Sequence, residues 1–538
     1  MNGAIVVSPY ATAVALNRPV PTYVNSKQEL DSQRVQAYWT YDDIYNNIKE
    51  AFDALLRTDT DVKGRRYIPY GRAIVEATNR YLGKDLTISY EVPADSPGDP
   101  VAQAAVAAFV KSLFEREQFV VKFGEAKRTM LKRGDSFMQI SADPSKDEGK
   151  RLRITLLDGS QYFPIFMATD TERIAGVYII TLLSSPDGQT TVAQREWYQR
   201  ILTPEDAAAV PGGVVGGVFY QIQFFEQDKW DDRFPLSKQD VSPVGPPAWI
   251  QWGPYYTGGD GNPGAFAGFM LPASITAIPV YHFKNTHTGP FGYSLLQGLE
   301  TVLAGVTQAM TDEDMAIALA GIGVYWTDSG TPRDANGKEV DWVIAPASVM
   351  ELEAGKKFGR VDGVGSVQPL QDHVEALKDS ALESSGVPDV AVGKVDVQVA
   401  ESGVALAIKM APVIASNRER EDGMAAVLTN FLFDILNGWA PAYEGQQPID
   451  GVFTVNVTFG DAMPVDRAAV IQEVVELITA KIIDAQFAQE YLKDKLGFNF
   501  PTDLLSRMTA ADTAALDAQA ARLGIEAGAP APVPGVGA

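Results

Sequence analysis

From Ser294 to Gly321 the chain reads SLLQGLETVLAGVTQAMTDEDMAIALAG. The stretch holds no proline, and as a helix its roughly 28 residues span about 40 Å at 1.5 Å per residue. Leu295, Leu299, Val302, Leu303, Val306, Ala309 and Met310 recur at helical spacing on one face. That apolar face suits either the core helix of an ordinary domain or a helix packed between neighbouring subunits.

Downstream, residues 322–367 read as short strands and turns: GVYWTDSG, a turn at 332–337, then VDWVIAPASVMELEAG. Lys356, Lys357 and Arg360 form the one dense basic spot there. Pro369 to Ser385 is a second helix with proline near its first position. Val387 to Glu401, VPDVAVGKVDVQVAE, is irregular. Ser402 to Gly438 is a very long helix that Pro412 must kink, because proline removes a hydrogen bond and crowds the preceding turn. GVFTVNVTFGD is a strand, residues 464–480 and 484–496 are helices, and an Ala-, Gly- and Pro-rich tail follows.

Upstream, residues 1–38 are polar and read as a loosely held arm. Helices are expected over 40–57, with Ile44, Ile48, Phe52 and Leu55 on one face, and over 71–82, 102–115 and 119–133, the last closed by Gly134. DLTISYEV is a strand. DSFMQISAD alternates like a half-buried strand, and RLRITLLD, YFPIFMA, AGVYIITLLS, REWYQRILT and VFYQIQFFEQ extend the strand-rich section. Residues 229–275 are Gly-, Pro- and Trp-rich without a period, so they read as loop, and ITAIPVYHFKN is one more strand.

The 538 residues carry 45 Lys and Arg against 68 Asp and Glu, a net charge of −23, with a pI near 4.6. Such a chain does not grip nucleic acid over its whole surface, since phosphate binding needs cations. There is no cysteine, which removes disulfides, thiolate nucleophiles and Cys-held metals. The three histidines, His282, His287 and His373, lack metalloprotease spacing, and no P-loop, nucleophile elbow or dinucleotide fingerprint occurs. The first twenty residues lack a basic region before their apolar stretch, so a signal peptide is not expected, and no run of eighteen apolar residues suggests a membrane span. Metal, cofactor and catalytic residues are all expected to be absent. Asp312, Glu313 and Asp314 read most simply as a solvated helical turn. Lys63, Arg65, Arg66, Arg72 and Arg80 form a basic island that pairs with surplus carboxylates or meets phosphate. GGVVGG at 212–217 is a hairpin tip, with no helix start to cradle phosphate.

The order of these segments resembles a portal protein of a tailed bacteriophage. The stretches that carry the resemblance, between about residues 40 and 500, are GRAIVEATNRYLGKDLTI, EAKRTMLKRGDSFMQISAD, RLRITLLDGSQYFPIF, RIAGVYII, FGYSLLQGLETVLAGVTQAMTDEDMA, ESGVALAIKMAPVIASNRERE and FGDAMPVDRAAVIQEVVELITAKIIDAQFAQEYL. The resemblance implies an α+β fold of several regions: an arm at 1–39, a wing from 40 to 293, stem helices at 294–321 and 368–386, and a clip at 322–367. A tunnel loop at 387–401, a long kinked helix with a wing strand at 402–463, a helical crown at 464–510 and a flexible tail at 511–538 complete it.

It also implies a structural role at one vertex of the virion, with assembly in the host cytoplasm. The partners implied are further copies of the chain in a ring of twelve, the major capsid protein and scaffold, the large terminase, a head-completion adaptor, and double-stranded DNA passing through the channel, with no membrane. Asp389, Gly393, Lys394 and Asp396 would belong to the tunnel loop, with Lys394 placed to meet a phosphate. Lys356, Lys357 and Arg360 would sit on the clip. Asp312, Glu313, Asp314, Asp372, Glu375 and Asp379 would face the bore, and Pro412 would mark the kink. An enzyme with its site in 229–290, and a surface-binding protein, remain alternatives to this reading.

Overall fold

Strand-period and helix-period segments alternate along the chain, and the fold they build is α+β. The computed structural model describes residues 28–56, 65–91, 100–167, 173–226, 268–285, 289–322, 324–331, 337–339, 352, 354–361, 367–393, 403–449, 453–460, 467–480 and 482–496. Lys63, His287, Lys394, Asp396, the C-terminal tail and nearly all of the 229–275 stretch lie outside these. The chain divides into two units, Met1–Glu401 with Ala405–Ala462, and Ser402–Val404 with Met463–Ala538.

In the first unit, α1 (Gln28–Asn46), α2 (Lys49–Leu55), α3 (Tyr70–Arg80), β1 (Thr87–Glu91), α4 (Pro100–Arg116) and α5 (Phe119–Arg133) come first. Then follow β2 (Asp135–Ala142), β3 (Leu152–Leu157), β4 (Tyr162–Phe166), β5 (Ile174–Ser184), β6 (Thr191–Arg200), α6 (Pro204–Ala209), β7 (Val218–Glu226), β8 (Phe269–Met270) and β9 (Val280–Lys284). The unit ends with α7 (Glu300–Ile322), β10 (Val324–Thr327), β11 (Phe358–Val361), α8 (Gln368–Ser385), α9 (Gly403–Asp434), α10 (Ala440–Tyr443) and β12 (Thr454–Thr458). Among the described residues the sheets are four and antiparallel: β3-β2-β9, β4-β5-β6-β7-β8, β10-β11, and β1 with β12. The second unit contains α11 (Arg467–Thr479) and α12 (Ala485–Leu496), with Asp484 capping the start of α12 through the Phe487 N–H at 2.7 Å.

Four expectations change. The stretch 28–39 is no loose arm. It is the first half of α1, held because Arg34, Val35 and Tyr38 are buried, and Arg34 donates to the carbonyls of Gly159 (2.8 Å) and Tyr162 (2.6 Å). The single helix expected over 40–57 is broken at Asn47, whose φ of +58° is left-handed. The stretch DSFMQISAD is buried on both faces over its first six residues, because β2 is the central strand of its sheet and lies against α5. Finally, α7 starts at Glu300, since 294–299 form turns with Gly298 at φ +85°. Helix α9 does run through Pro412, which leaves the Ile408 carbonyl without its usual helical donor, and a π-helical turn at Ile435–Trp439 follows it.

The junction of α5 and β2 organises the first unit. Gly134 closes α5 at φ +96°, its N–H bonded to the Met130 carbonyl at 2.8 Å. A Cβ there would meet the Gly292 carbonyl oxygen at 2.6 Å. That close approach brings the Gly292 N–H to Asp135 Oδ1 at 2.7 Å. The same carboxylate accepts from His282 Nε2 at 2.6 Å and from the Tyr38 hydroxyl at 2.5 Å. Arg133 next door pairs with Asp42 and, at 2.9 Å, with Asp158, while Lys132 reaches Asp42 at 2.9 Å. Burial holds the His282 ring below its ordinary pKa of 6.5, although Asp135 pulls it back up, so the ring is neutral at pH 7 and donates Nε2–H.

Two outcomes follow. Gly134→Ala lowers stability by on the order of 3 kcal/mol, from backbone strain plus the clash with Gly292. Gly149→Ala, also left-handed but with open space around it, costs about 1 kcal/mol, and chemical denaturation of the two variants separates strain from clash. For His282, the unfolded chain takes up a proton below pH 6.5 that the folded chain refuses, so its contribution to stability falls with falling pH. Glu196, Glu421 and Asp434, whose folded pKa values burial raises, act in the opposite sense. Denaturation profiles of the wild type and His282→Gln, measured from pH 7 to about 5, isolate the term: the wild type loses stability relative to the variant as the pH drops.

Candidate functional site

Helices α7 and α8 pack antiparallel. Val306, Ala309 and Met310 meet Val374, with Ile68 and Leu377 against the cluster. Gly305 leaves room for Leu377, whose methyl carbon would lie 3.7 Å from a Cβ there. Farther along, Gln371 Nε2 donates to Glu313 Oε1 at 3.1 Å, so the pairing runs 305 with 377 and 313 with 371. Small residues explain the closeness: Ala304 and Ala309 on α7 and Ala381 on α8 are buried. The inner half of α7 is gripped by the N-terminal helices, with Leu303 against Gly71, and the Arg66 N–H on the Thr311 hydroxyl at 3.1 Å. Farther out, Met315 and Ile317 are exposed, while Ala316 between them is buried.

The outer ends of the pair lead into the β10–β11 ribbon, registered Val324 with Val361 through Thr327 with Phe358. Gly359 faces Trp326, and a Cβ there would meet the indole nitrogen at 2.7 Å, so glycine lets the ring lie across the ribbon. The ribbon's end is tied by the Lys357 N–H on Asp328 Oδ1 at 2.5 Å and the Thr327 hydroxyl on the Lys357 carbonyl at 3.0 Å. Lys356 and Lys357 are exposed there. Arg360 lies in β11, and its side chain is outside the described atoms.

The acids of the two helices differ in arrangement. Asp312, Glu313 and Asp314 are consecutive, so at about 100° per residue they fan over more than half of the helix circumference and share no face. Each has its own partner: Gln308 donates to Asp312 at 2.7 Å, Gln371 reaches Glu313, and Arg66 lies 3.4 Å from Asp314. On α8, by contrast, Asp372, Glu375 and Asp379 sit at i, i+3 and i+7 and are all exposed. Glu383 extends the row by one more turn, and its i+4 spacing from Asp379 was the signal for it in the sequence. The opposite face of α8 carries buried Val374 and Ala381. Lys378, the one cation in α8, is half-buried and away from the acidic row.

The turn after α8 joins this row to the loop segment. Gly386 caps the helix at φ +69°, Val387 is buried, and Asp389–Val392 forms a 3₁₀ turn with Ala391 buried against α3. The first seven residues of the stretch read as irregular, 387–393, therefore hold a defined turn, because Val387 and Ala391 supply it with apolar anchors. Gly393 ends it at φ +93° and is exposed. A cleft of about 970 Å³ opens beside the turn, lined by Asp379, Glu383, Asp389, Lys409 and Pro412. Three segments read separately in the sequence thus meet: the α8 acids, the loop acid Asp389 and the proline of α9. Three residues of the basic island are used internally: Arg65 on Asp53 at 2.5 Å, Arg66 on Asp314, and Arg72 over the Tyr45 ring. His373 is exposed. Among the described residues there is no cluster of metal-ligating side chains and no helix long and apolar enough to cross a membrane.

No family model and no curated protein matches the sequence. Solved structures do match. A chain from the neck of a native gene transfer agent particle, computed with C12 symmetry, aligns at 12% identity and TM-score 0.37 over 79% of this chain and 89% of that one. A chain from the virion of the native gene transfer agent particle aligns at 13% identity and TM-score 0.39, covering 81% and 91%. A third, from the neck of the empty particle computed with C6 symmetry, aligns at 14% identity and TM-score 0.37, covering 77% and 85%. All three chains come from gene transfer agent particles, two of them from the neck.

Proposed function

We propose that the chain is a portal subunit of a phage-like particle. Copies form a ring of twelve at one capsid vertex, and DNA passes through the ring during packaging and ejection. The observation that carries the proposal is the α7–α8 pair: two antiparallel helices anchored at one end, tipped by a two-stranded ribbon at the other, with an outward row of four carboxylates on α8. Arranged around an axis, that row gives a bore that repels phosphate, so DNA slides without being held. The 3₁₀ turn at Asp389 continues the acidic lining, and the loop beyond it, with Lys394 and Asp396, touches passing DNA.

The ribbon, with Lys356, Lys357 and Arg360, docks the head-completion adaptor and the large terminase. Capsid protein and scaffold meet the outer faces of the ring. ATP hydrolysis belongs to the terminase, and the chain itself performs no catalysis. Lateral contact between copies is supported by the exposed Met315 and Ile317 of α7 and by Ile471, Val475 and Ile478 on α11.

Negative-stain images of the purified chain are expected to show rings with a central hole, and native mass spectrometry gives the copy number. A monodisperse monomer across salt and concentration would sink the proposal. Replacing Asp372, Glu375, Asp379 and Glu383 by their amides is expected to leave ring formation intact and to raise duplex DNA retention on the rings at least tenfold at low salt, falling steeply as salt rises. Unchanged retention places the row away from the bore. Alanine at Lys356, Lys357, Arg360 and Lys394 together is expected to reduce adaptor binding and packaging, and unaltered values for both remove these cations from the docking role.

A further inference from the structure

A second cleft, of about 710 Å³, lies between the β3-β2-β9 sheet and the five-stranded sheet, far in sequence from the acidic row. Its size falls in the range of small-molecule sites. Along β6, residues alternate faces, so Glu196 and Tyr198 point into the cleft while Arg195 stacks on Tyr178 and Phe225 on the other side.

Glu196 is the unusual group. Protein surrounds it, yet part of its surface stays accessible, and that surface faces the cleft. Its carboxylate accepts from Gln194 Nε2 at 2.9 Å, from the Tyr198 hydroxyl at 3.2 Å and from Gln139 Nε2 at 3.4 Å. All are neutral donors. No described Lys, Arg or His reaches it, and burial raises its pKa, with the neutral donors pulling it back. The other carboxylate of the cleft, Asp143, is balanced by Lys146 at 3.9 Å and by Arg153 and is held low, chiefly by the Ser145 hydroxyl. Arg153, the one cation in the cleft lining, is exposed and acts on Asp143, and Glu196 is a desolvated carboxyl group without a counter-charge among the described residues.

The walls around Glu196 are aromatic. Tyr198 and Tyr220 lie with ring centres 4.7 Å apart, Phe269 follows Tyr220 at 5.6 Å, and Trp439 with Tyr443, 5.6 Å apart, lines the cleft from the helical side. Aromatic faces beside a lone carboxylate favour a cation, and an organic ammonium ion in particular, because the ring faces attract it directly while a single carboxylate is a poor ligand set for a divalent metal ion. Ile179 and Leu271 add apolar wall for an alkyl chain.

We propose that this cleft binds a small aliphatic amine in its ammonium form, the cation on Glu196 beside the tyrosine rings and the alkyl part against Ile179 and Leu271. The site is independent of the ring and of the acidic row. Calorimetric titration of the full chain with 1,4-diaminobutane tests it, with 1,4-butanediol as the neutral counterpart, potassium chloride as the simple cation, and Nα-acetyl-lysine amide as the protein-borne form of the same group. The diamine is expected to bind and to raise the unfolding temperature, the diol and potassium to do neither, and Glu196→Gln to weaken binding at least tenfold while Tyr198→Phe keeps it within threefold. Should Glu196→Gln fold poorly, the comparison of diamine with diol on the wild type decides alone. No binding up to about 10 mM diamine, a limit of affinity near −3 kcal/mol, overturns the proposal. So does equal stabilisation by the diol, equal affinity in Glu196→Gln, or tighter binding of the lysine derivative than of the diamine.

Discussion

The buried Asp135 carboxylate ties together parts of the chain that are far apart in sequence. Three donors converge on it, from α1, from β9 and from the turn before α7. Each loses water on burial, and a carboxylate there is tolerated only because all three are present. The turn is fixed further by the Asn285 N–H on the Gly134 carbonyl, the Leu295 N–H on the Leu131 carbonyl and the Ser294 hydroxyl on the Lys132 carbonyl. Where α7 begins is therefore set by this junction. The long helix inherits its position from a carboxylate more than 150 residues upstream of it.

The chain's −23 is not spread evenly. Asp42, Asp158, Asp53 and Glu76 neutralise arginines and lysines inside the N-terminal half. Those acids are structural, and Asp42, whose two cationic partners are largely buried with it, is the costliest to remove singly. The α8 row belongs to a different class: it faces solvent, contributes little to folding, and shapes the field outside the helix. The net charge alone could not separate the two classes, since that requires knowing which carboxylates face cations.

Much of the fold was legible in the sequence. Periodicity located α3, α5, α8 and both helices of the second unit, and glycine marked the end of α5. The alternating runs located most strands, and the α+β class followed from them. What periodicity could not show was pairing. Nothing local joins TISYE at 87–91 to TVNVT at 454–458, or brings His282 onto Asp135. Buried arginine was misread for the same reason: Arg34 made residues 28–39 look polar and loose, although its guanidinium is consumed by two carbonyls and lies over the Phe291 ring. The acids of α8 were legible as a row because helical spacing is local. The triplet on α7 was grouped by adjacency in sequence, which on a helix means the opposite of a shared face. Glu196 was invisible, since its lack of a counter-charge depends on two sheets facing each other.

The β10–β11 ribbon pairs its two strands in antiparallel register at the outer ends of α7 and α8, and the edge of such a ribbon is a template for a further strand. If copies add ribbon to ribbon around an axis, an arc of any size carries one reactive end of each kind, and only the closed circle carries none. Growth by this route is then self-terminating: completion is the point at which the last open edge meets the first. Subunit number would be set by the angle between neighbours, with no separate counting device, and a fragment that stalls short of closure would be the species most prone to join another fragment.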